Sequence, residues 1–138
     1  MNYKDIAKET IKIDEGLMLS LYKCSAGKTS IGYGRNLDDV GISKKEAEFL
    51  LQNDIDKVIA QLKEHLSECF DSLSENRKAV LVNMAFNLGI YGLLKFKKMV
   101  KALKVMDYEE AGKQMMDSRW AKQVGKRATR LRDMMIIG

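Results

Sequence analysis

Three side chains with reactive groups lie in one short stretch of the sequence, DEGLMLSLYKCSAGKTSIGYGRNL, residues 14–37. Glu15 carries a carboxyl group, Cys24 a thiol and Ser30 a hydroxyl. A carboxyl can act as a general acid, and a thiol or hydroxyl can act as a nucleophile when a base lies beside it. Spacing alone does not prove that the three groups converge on one side of a cleft.

Each of these residues also has an ordinary structural interpretation. A glutamate that ends a helix before a glycine is usually a solvated side chain, and a single cysteine is more often a small buried hydrophobe than a catalytic group. His65 is the only histidine and lies in a polar context, so a cysteine–histidine pair is not expected. His65 and Cys69 do not make a metal site by themselves, and we expect no metal and no cofactor.

The elements that must position these groups begin with an amphipathic helix. The pattern predicts a helix over residues 3–15, with Gly16 as its stop, so that Glu15 ends the helix. Alternating leucines at 17, 19 and 21 then predict a half-buried strand, and SAGK predicts a turn. Residues 30–35 predict a second strand, in which Gly32 and Gly34 allow close backbone approach.

From Ser43 onward the sequence is predominantly helical. Ser43 and Glu46 form a predicted capping box, and Ser74 is the predicted cap of a nearly all-apolar helix, KAVLVNMAFNLG. Trp120 is interpreted as a core anchor. Further predicted features are an apolar stripe at 47, 50, 51, 58, 59 and 62 and helices over 93–104, 108–116 and 126–135. The predicted fold is α+β, one domain over 1–138 with a small hairpin lobe beside a larger helical lobe.

Composition and charge exclude several classes of protein. The 138 residues carry a formal charge of +5, which favours binding to polyanions such as nucleic acid, anionic lipid or the bacterial wall. No nucleic-acid reader motif accompanies the charge, so we expect no nucleic-acid partner. No apolar run is long enough for a membrane span, and the opening residues lack the apolar core of a signal peptide. We therefore expect a monomer that starts in the cytoplasm without stable membrane insertion, with Cys24 and Cys69 as free thiols.

The spacing of the three reactive residues resembles the signature of the phage lysozymes, a glycoside hydrolase family. The sequence has Glu15, eight residues, Cys24, five residues, then Ser30, where the family has Glu, then Asp or Cys, then Thr. The resemblance continues through TSIGYGR at 29–35, NMAFNLG at 83–89, SRW at 118–120 and GKRATR at 125–130. It covers nearly the whole chain and implies a lysozyme-like fold with an active-site cleft between the two lobes.

The resemblance implies a role for each of these positions. Glu15 corresponds to the general acid that protonates the glycosidic oxygen, and Cys24 and Ser30 to the groups that hold water for inverting attack. Because Asp and Thr are commoner at the last two positions, we expect activity with an altered pH dependence. Arg127 matches an arginine that pairs with the acid.

Further positions match supporting and substrate-binding residues of the family. Arg35 stands where many relatives have a histidine and is expected to pair with Asp54. The walls of the cleft are expected to include Asn36, Phe86, Asn87 and Gln114, with Asn83 as a supporting hydrogen-bond partner. Phe86 is ambiguous between core and cleft.

The function implied by the resemblance is that of an endolysin. Such an enzyme hydrolyses β-1,4 bonds between N-acetylmuramic acid and N-acetylglucosamine in peptidoglycan and lyses an infected bacterium from within, after a holin-like pore gives it access to the wall. Two alternatives remain open at this point. One is a lytic transglycosylase, which needs no water-holding aspartate and leaves anhydro-muramic ends, and the other is a wall-binding protein with an inactive site.

Overall fold

The computed structural model describes residues 1–138, and the chain divides into two compact units, Met1–Phe49 and Leu50–Gly138. The first unit combines a helix with a small antiparallel sheet, and the second is built from helices. These elements confirm the α+β, mostly helical fold class. That the whole chain folds as one domain stays a prediction.

The first unit opens with helix α1, Tyr3–Glu15, which has the bounds predicted from the sequence. The helix begins where the Asn2 side chain accepts a hydrogen bond of 3.0 Å from the backbone N–H of Asp5. It ends at Gly16, whose φ of 69° is outside the helical region and whose N–H donates to the carbonyl of Lys12. The carboxyl of Glu15 therefore projects from the last helical residue.

Three short strands follow α1 and form one antiparallel sheet in the order β1-β2-β3. They are β1 (Met18–Lys23), β2 (Thr29–Gly32) and β3 (Arg35–Asn36). Ser30 lies on the central strand, opposite Tyr22 on one side and Asn36 on the other. Ser30 is only 2% exposed.

Two predictions about this sheet are wrong. The continuous second strand expected over 30–35 is broken, because Gly32 and Gly34 both have positive φ angles, 71° and 75°, and turn the chain into β3. The half-buried leucine face of β1 is not found, since Leu19 and Leu21 are 83% and 63% exposed. A three-stranded sheet with β1 at its edge buries little of that strand.

Helix α2, Lys44–His65, begins in the first unit and continues into the second. The predicted capping box is confirmed: the N–H of Ser43 donates to Oε1 of Glu46, and the N–H of Glu46 donates to Oγ of Ser43. After a short 3-10 helix at Phe70–Ser72, the second unit contains α3 (Glu75–Leu88), α4 (Ile90–Leu94), α5 (Lys97–Lys104), α6 (Tyr108–Met116), α7 (Arg119–Val124) and α8 (Lys126–Ile137). None of the helices has both the length and the apolar composition that crossing a bilayer requires.

Helix α3 supplies the centre of the core, as predicted. Its cap is confirmed by the hydrogen bond from the N–H of Arg77 to Oγ of Ser74, and Val80, Leu81 and Met84 are fully buried. Trp120 is 4% exposed, which confirms its interpretation as a core anchor. The core cluster that contains these residues also has apolar side chains from every later helix of the second unit, including Leu93, Leu103, Met115, Ala121, Leu131 and Met135.

The helix predicted over 93–104 is two helices, α4 and α5. Phe96 separates them with a ψ of 63°, which is not helical, and its ring packs edge-on against Trp120 with centroids 6.1 Å apart. The break between α4 and α5 therefore lies at a residue whose aromatic ring packs in the core, and the periodicity of the sequence did not predict it.

Arg77 connects three helices and was not singled out from the sequence. Its Nε and Nη2 atoms donate to the carbonyls of Met135 and Ile136 at 2.8 and 3.0 Å, and its guanidinium lies 3.6 Å from the ring centroid of Tyr108. These bonds satisfy carbonyls in the last turn of α8, which have no partner within the helix. Arg77 thus joins α3 to α6 and α8.

The burial pattern generates a stability prediction for Leu62, which is 0% exposed, against Leu19, which is 83% exposed. Leu62→Ala leaves a cavity in the core and is expected to lower the free energy of unfolding by about 2–5 kcal/mol. The same substitution at Leu19 removes little buried surface and should change it by about 0.5 kcal/mol or less. Urea unfolding of both variants measures the difference, and equal losses would contradict the assigned core.

Candidate active site

In the first unit, the carboxyl of Glu15 lies against the turn that connects β2 to β3. A methyl group at Gly34 would come within 2.7 Å of Oε2 of Glu15, so the absence of a side chain there leaves the space that the carboxyl occupies. This confirms the predicted close approach at Gly34. Gly32 has nothing within 4 Å of such a methyl group, and its positive φ is what favours glycine.

Cys24 lies at the turn between β1 and β2. The turn is closed by hydrogen bonds from the N–H of Cys24 to the carbonyl of Lys28, 2.9 Å, and from the N–H of Gly27 to the carbonyl of Cys24, 2.8 Å. Hydrogen bonds from the backbone N–H groups of Lys28 and Ala26 stabilise the thiolate and lower the pKa of Cys24 below its ordinary value. The second cysteine differs, because burial raises the pKa of Cys69.

Ser30 lies on β2 opposite Tyr22, at the same end of the sheet as Cys24. Its hydroxyl donates to the carbonyl of Lys28 at 3.4 Å, and the Ser30 side chain makes a minor contribution to the lowered pKa of Cys24. Sulfur, hydroxyl and backbone N–H groups therefore form one small polar cluster at the end of the hairpin. Such a cluster contains both donors and acceptors, as binding of a water molecule requires.

Asn36 lies on β3 opposite Ser30, but its side chain is engaged locally. Its Nδ2 donates to Oδ2 of Asp39 at 2.9 Å, and its Oδ1 accepts from the N–H of Asp39 at 3.0 Å. Asp38 accepts a hydrogen bond from the N–H of Thr29, which lowers the pKa of Asp38. Asp38 and Asp39 were not singled out from the sequence, although side chains of this type commonly bond to nearby backbone in turns.

Arg35 pairs with Glu46, which corrects the expected Arg35–Asp54 pair. Its Nη1 and Nη2 atoms bond to Oε1 and Oε2 of Glu46 at 2.9 and 2.8 Å, and Nη1 also donates to the carbonyl of Gly41. The capping box holds Glu46 in the first turn of α2, within reach of β3, whereas Asp54 lies about 12 Å further along that helix. The bidentate pair raises the pKa of Arg35 and, together with the bond from Ser43, lowers the pKa of Glu46 to about 2.

In the second unit, three predicted site residues line one pocket of 650 Å³: Asn83, Phe86 and Arg127. Nε of Arg127 donates to Oδ1 of Asn83 at 2.9 Å, and Nη2 contacts its carbonyl at 3.4 Å. Phe86 is 46% exposed, so its ring is a pocket surface rather than part of the core. Apolar side chains form much of the remaining lining, with charged groups among them: Leu51, Ile55, Ile59, Lys63, Phe70, Asp71, Glu75, Lys78, Ala79 and Val82.

The other predicted residues of the second unit lie elsewhere. Asn87 accepts a hydrogen bond of 2.9 Å from Nε1 of Trp120, which ties it to the core anchor. Gln114 donates to Glu110 at 2.7 Å and lines a separate pocket of 370 Å³ beside Lys97. Asp54 borders a third pocket, to which Phe86 also contributes. The structure therefore groups Asn83, Phe86 and Arg127, but not Gln114.

No group of three or more His, Cys, Asp or Glu side chains is arranged to hold a metal ion. The predicted ion pair between Glu15 and Arg127 stays a prediction.

Comparison with known proteins places this geometry in context. The family model described as phage lysozyme matches residues 12–133. The chain is 30% identical, over 152 aligned positions, to a probable T4-type lysozyme 2 of Dictyostelium discoideum, with 90% of this chain and 89% of the relative covered.

Two phage proteins are also similar. An endolysin of Acyrthosiphon pisum secondary endosymbiont phage 1 is 35% identical over 121 positions, which cover 85% of this chain and 80% of that protein. The pre-baseplate central spike protein Gp5 of Enterobacteria phage T4 is 27% identical over 157 positions. That match covers 94% of this chain but 27% of Gp5, so the similarity concerns one part of a longer protein.

The Arg35–Glu46 ion pair predicts that Arg35 is energetically coupled to Glu46 and not to Asp54. Arg35→Gln and Glu46→Gln should show energetic coupling in a double-mutant cycle at neutral pH, whereas Arg35→Gln and Asp54→Asn should be additive. The Gln at 46 can keep the capping hydrogen bond, so the cycle isolates the charge pair. Thermal unfolding measures both cycles, and coupling to Asp54 alone would contradict the observed pair.

The same pair predicts a pH dependence. The folded-state pKa of Glu46, about 2, is below its ordinary value of 4.5, so the pair's contribution to stability is present above that ordinary value and is lost as the pH falls towards 2. The difference in melting temperature between the parent and Glu46→Gln should therefore shrink over this interval. Glu48→Gln, on the same helix, is the control.

Cys24 generates a prediction about thiol reactivity, tested in a Cys69→Ala background. Alkylation by iodoacetamide should rise with pH around a midpoint below that of an ordinary thiol, because backbone donors stabilise the thiolate. Ser30→Ala removes a hydroxyl that helps to lower the pKa of Cys24 and should move the midpoint upward. A midpoint that does not respond to Ser30→Ala would contradict this contribution.

Proposed function

The chain belongs to the phage lysozyme family, and on that premise we propose that it hydrolyses the β-1,4 bond between N-acetylmuramic acid and N-acetylglucosamine in peptidoglycan. The proposal assigns general acid catalysis to Glu15 and the holding of water to Cys24 and Ser30. The observation that carries it is the local geometry of the hairpin. The strand register places the Cys24 thiol and the Ser30 hydroxyl at the same end of the sheet, and the following turn makes room for the carboxyl of Glu15.

Glu15 is suited to a proton-transfer role by its surroundings in the first unit. It forms no salt bridge with any cation of that unit, and the empty position at Gly34 allows its carboxyl to approach the turn. In the proposed reaction, Glu15 donates its proton to the glycosidic oxygen as the bond to the anomeric carbon breaks. The leaving sugar departs as a neutral alcohol.

Cys24 and Ser30 are proposed to hold and activate the attacking water. The oxygen of the water forms the new bond to the anomeric carbon on the face opposite the leaving group, which inverts its configuration. The Cys24 thiolate takes the proton that this water loses, and the lowered pKa of Cys24 favours that charged form. The Ser30 hydroxyl orients the water, and its burial fixes its position.

The pocket of the second unit is proposed to bind a sugar ring. Phe86 offers an exposed aromatic face, a surface on which sugar rings commonly pack, and Asn83 and Arg127 offer hydrogen bonds. The bond between the last two residues holds the guanidinium in place before substrate arrives. Three further side chains already form hydrogen bonds within the protein: Asn36, Asn87 and Gln114. We propose that each binds substrate only by giving up that hydrogen bond.

The biological role is proposed from the family and from the endolysin relative. We infer a monomeric lytic enzyme that remains in the cytoplasm of an infected bacterium until a holin-like pore gives it access to the wall. The positive net charge of +5 favours approach to an anionic wall.

The decisive test is digestion of purified peptidoglycan in ¹⁸O-labelled water, followed by mass spectrometry of the products. The parent should release reducing ends that carry ¹⁸O, and Glu15→Gln should lower the rate by at least about 10²-fold, because glutamine cannot donate the proton. Asp14→Asn, which removes the same charge one residue earlier, should keep nearly full activity. Circular dichroism checks that both variants fold.

Each other outcome contradicts a specific part of the proposal. Unlabelled anhydro-muramic ends would identify a lytic transglycosylase, in which the sugar's own hydroxyl replaces water. Labelled ends that are still produced by Glu15→Gln would mean that another residue is the general acid. Binding to peptidoglycan without cleavage by the parent would leave a wall-binding protein with an inactive site.

A further inference from the structure

Helix α5 carries a row of lysines on its exposed side. Lys97, Lys101 and Lys104 follow at intervals of four and three residues, so they share one face of the helix, and Lys98 lies beside them. All four are exposed. The opposite face is buried through Met99, Ala102 and Leu103, so the orientation of α5 is set by the core and the lysines are held outward.

Most of these lysines lack an acidic partner. Lys104 lies 3.5 Å from Glu68, whereas Lys97, Lys98 and Lys101 form no salt bridge. The neighbouring helix α6 begins with acidic residues, but Asp107 caps that helix and Glu110 accepts a hydrogen bond from Gln114. Lys97, Lys98 and Lys101 therefore carry positive charge that no salt bridge within the protein neutralises.

Two exposed apolar residues follow the lysine row. Val105 is 71% exposed and lies one helical turn beyond Lys101, and Met106 is 62% exposed. Met106 has a φ of 60° and is the only non-glycine residue with a positive φ. This left-handed residue ends α5 in a Schellman motif, in which the N–H groups of Met106 and Asp107 donate to the carbonyls of Leu103 and Ala102 at 3.1 and 2.9 Å. The position accounts for the backbone conformation and leaves the methionine side chain mostly exposed.

A pocket of 370 Å³ adjoins the start of the same helix. Its polar lining includes Lys95, Lys97, Lys98, Gln114, Asp117 and Ser118, so three lysines face one aspartate. The Ser118 hydroxyl and the Gln114 amide already have partners within the protein. The ammonium groups of the lysines are therefore what this pocket offers to the phosphate of a lipid headgroup.

We propose that the α5 surface, defined as Lys97, Lys98, Lys101, Lys104, Val105 and Met106, docks on a bilayer that contains anionic phospholipids. The lysines attract the headgroup phosphates, and the two apolar side chains enter the interfacial region. The apolar tip favours a bilayer over a soluble polyanion, because a hydrated polymer offers no apolar region for Val105 and Met106. The attachment is peripheral, since no helix of the protein can span the bilayer.

The first experiment measures cosedimentation with vesicles of phosphatidylglycerol and phosphatidylcholine, and with vesicles of phosphatidylcholine alone. The protein should bind only the anionic vesicles. Lys97→Gln, Lys98→Gln and Lys101→Gln together should lower the partition coefficient at least about tenfold. The matched control replaces the exposed Lys44, Lys45 and Lys122 by Gln, which also takes the net charge from +5 to +2. Its partition coefficient should fall far less.

The second experiment tests the apolar tip. Val105→Ser with Met106→Asn keeps the lysines, and asparagine tolerates the left-handed conformation at 106. The parent should keep a fraction of its binding at high salt, where attraction between charges is screened, and this variant should lose that fraction. Cleavage of soluble glycan by every variant is measured in parallel, so a failure to bind lipid is distinguished from a failure of the proposed enzymatic function.

The proposal is overturned by any of three results. Equal decreases in the partition coefficients of the two triple-lysine variants would show that binding depends only on the net charge. No binding to anionic vesicles would exclude the bilayer as partner. Binding by the tip variant that equals the parent's at all salt concentrations, with polyphosphate or duplex DNA competing fully, would identify a soluble polyanion as the ligand.

Discussion

The backbone reversal at Gly32 and Gly34 is the constraint on which the first unit depends. Both residues have positive φ angles, so the chain leaves β2 and returns as β3 after only two residues. A side chain at Gly34 would be strained by the backbone and would also collide with the carboxyl of Glu15. The same turn therefore sets the sheet, encloses Ser30 between two strands and leaves room for the proposed acid.

Beyond that turn, charge and capping connect the sheet to α2. Glu46 accepts hydrogen bonds from the Ser43 backbone and from the Arg35 guanidinium with the same carboxylate. One side chain thereby fixes where the helix begins and where β3 ends. Because both partners of the ion pair are more than a third exposed, we assign the pair mainly a positioning role rather than a large share of stability.

The sequence predicted features that depend on local chemistry and missed those that depend on tertiary contacts. The caps at Ser43 and Ser74 and the bounds of α1 were predictable, because a side chain and its target lie within four residues. The break at Phe96 and the partner of Arg35 depend on packing and on relative positions that no periodicity encodes. The sequence predicted a hairpin that contains Cys24 and Ser30. It did not predict how close the two side chains lie, because that depends on the register of the strands.

In the proposed mechanism, Cys24 must be ionised while Glu15 is protonated. General acid catalysis by a carboxyl together with base catalysis by a thiol needs the first group protonated while the second is ionised. A carboxyl ordinarily loses its proton at a lower pH than a thiol, so the required pair of states is normally a minor one. The pKa of Cys24 is lowered by the backbone N–H groups of Lys28 and Ala26 and by the Ser30 hydroxyl. The difference between this pKa and that of an ordinary carboxyl is therefore reduced. Because the two largest of these contributions come from backbone N–H groups of the turn, the lowered pKa of Cys24 is a property of the same hairpin that positions the thiol.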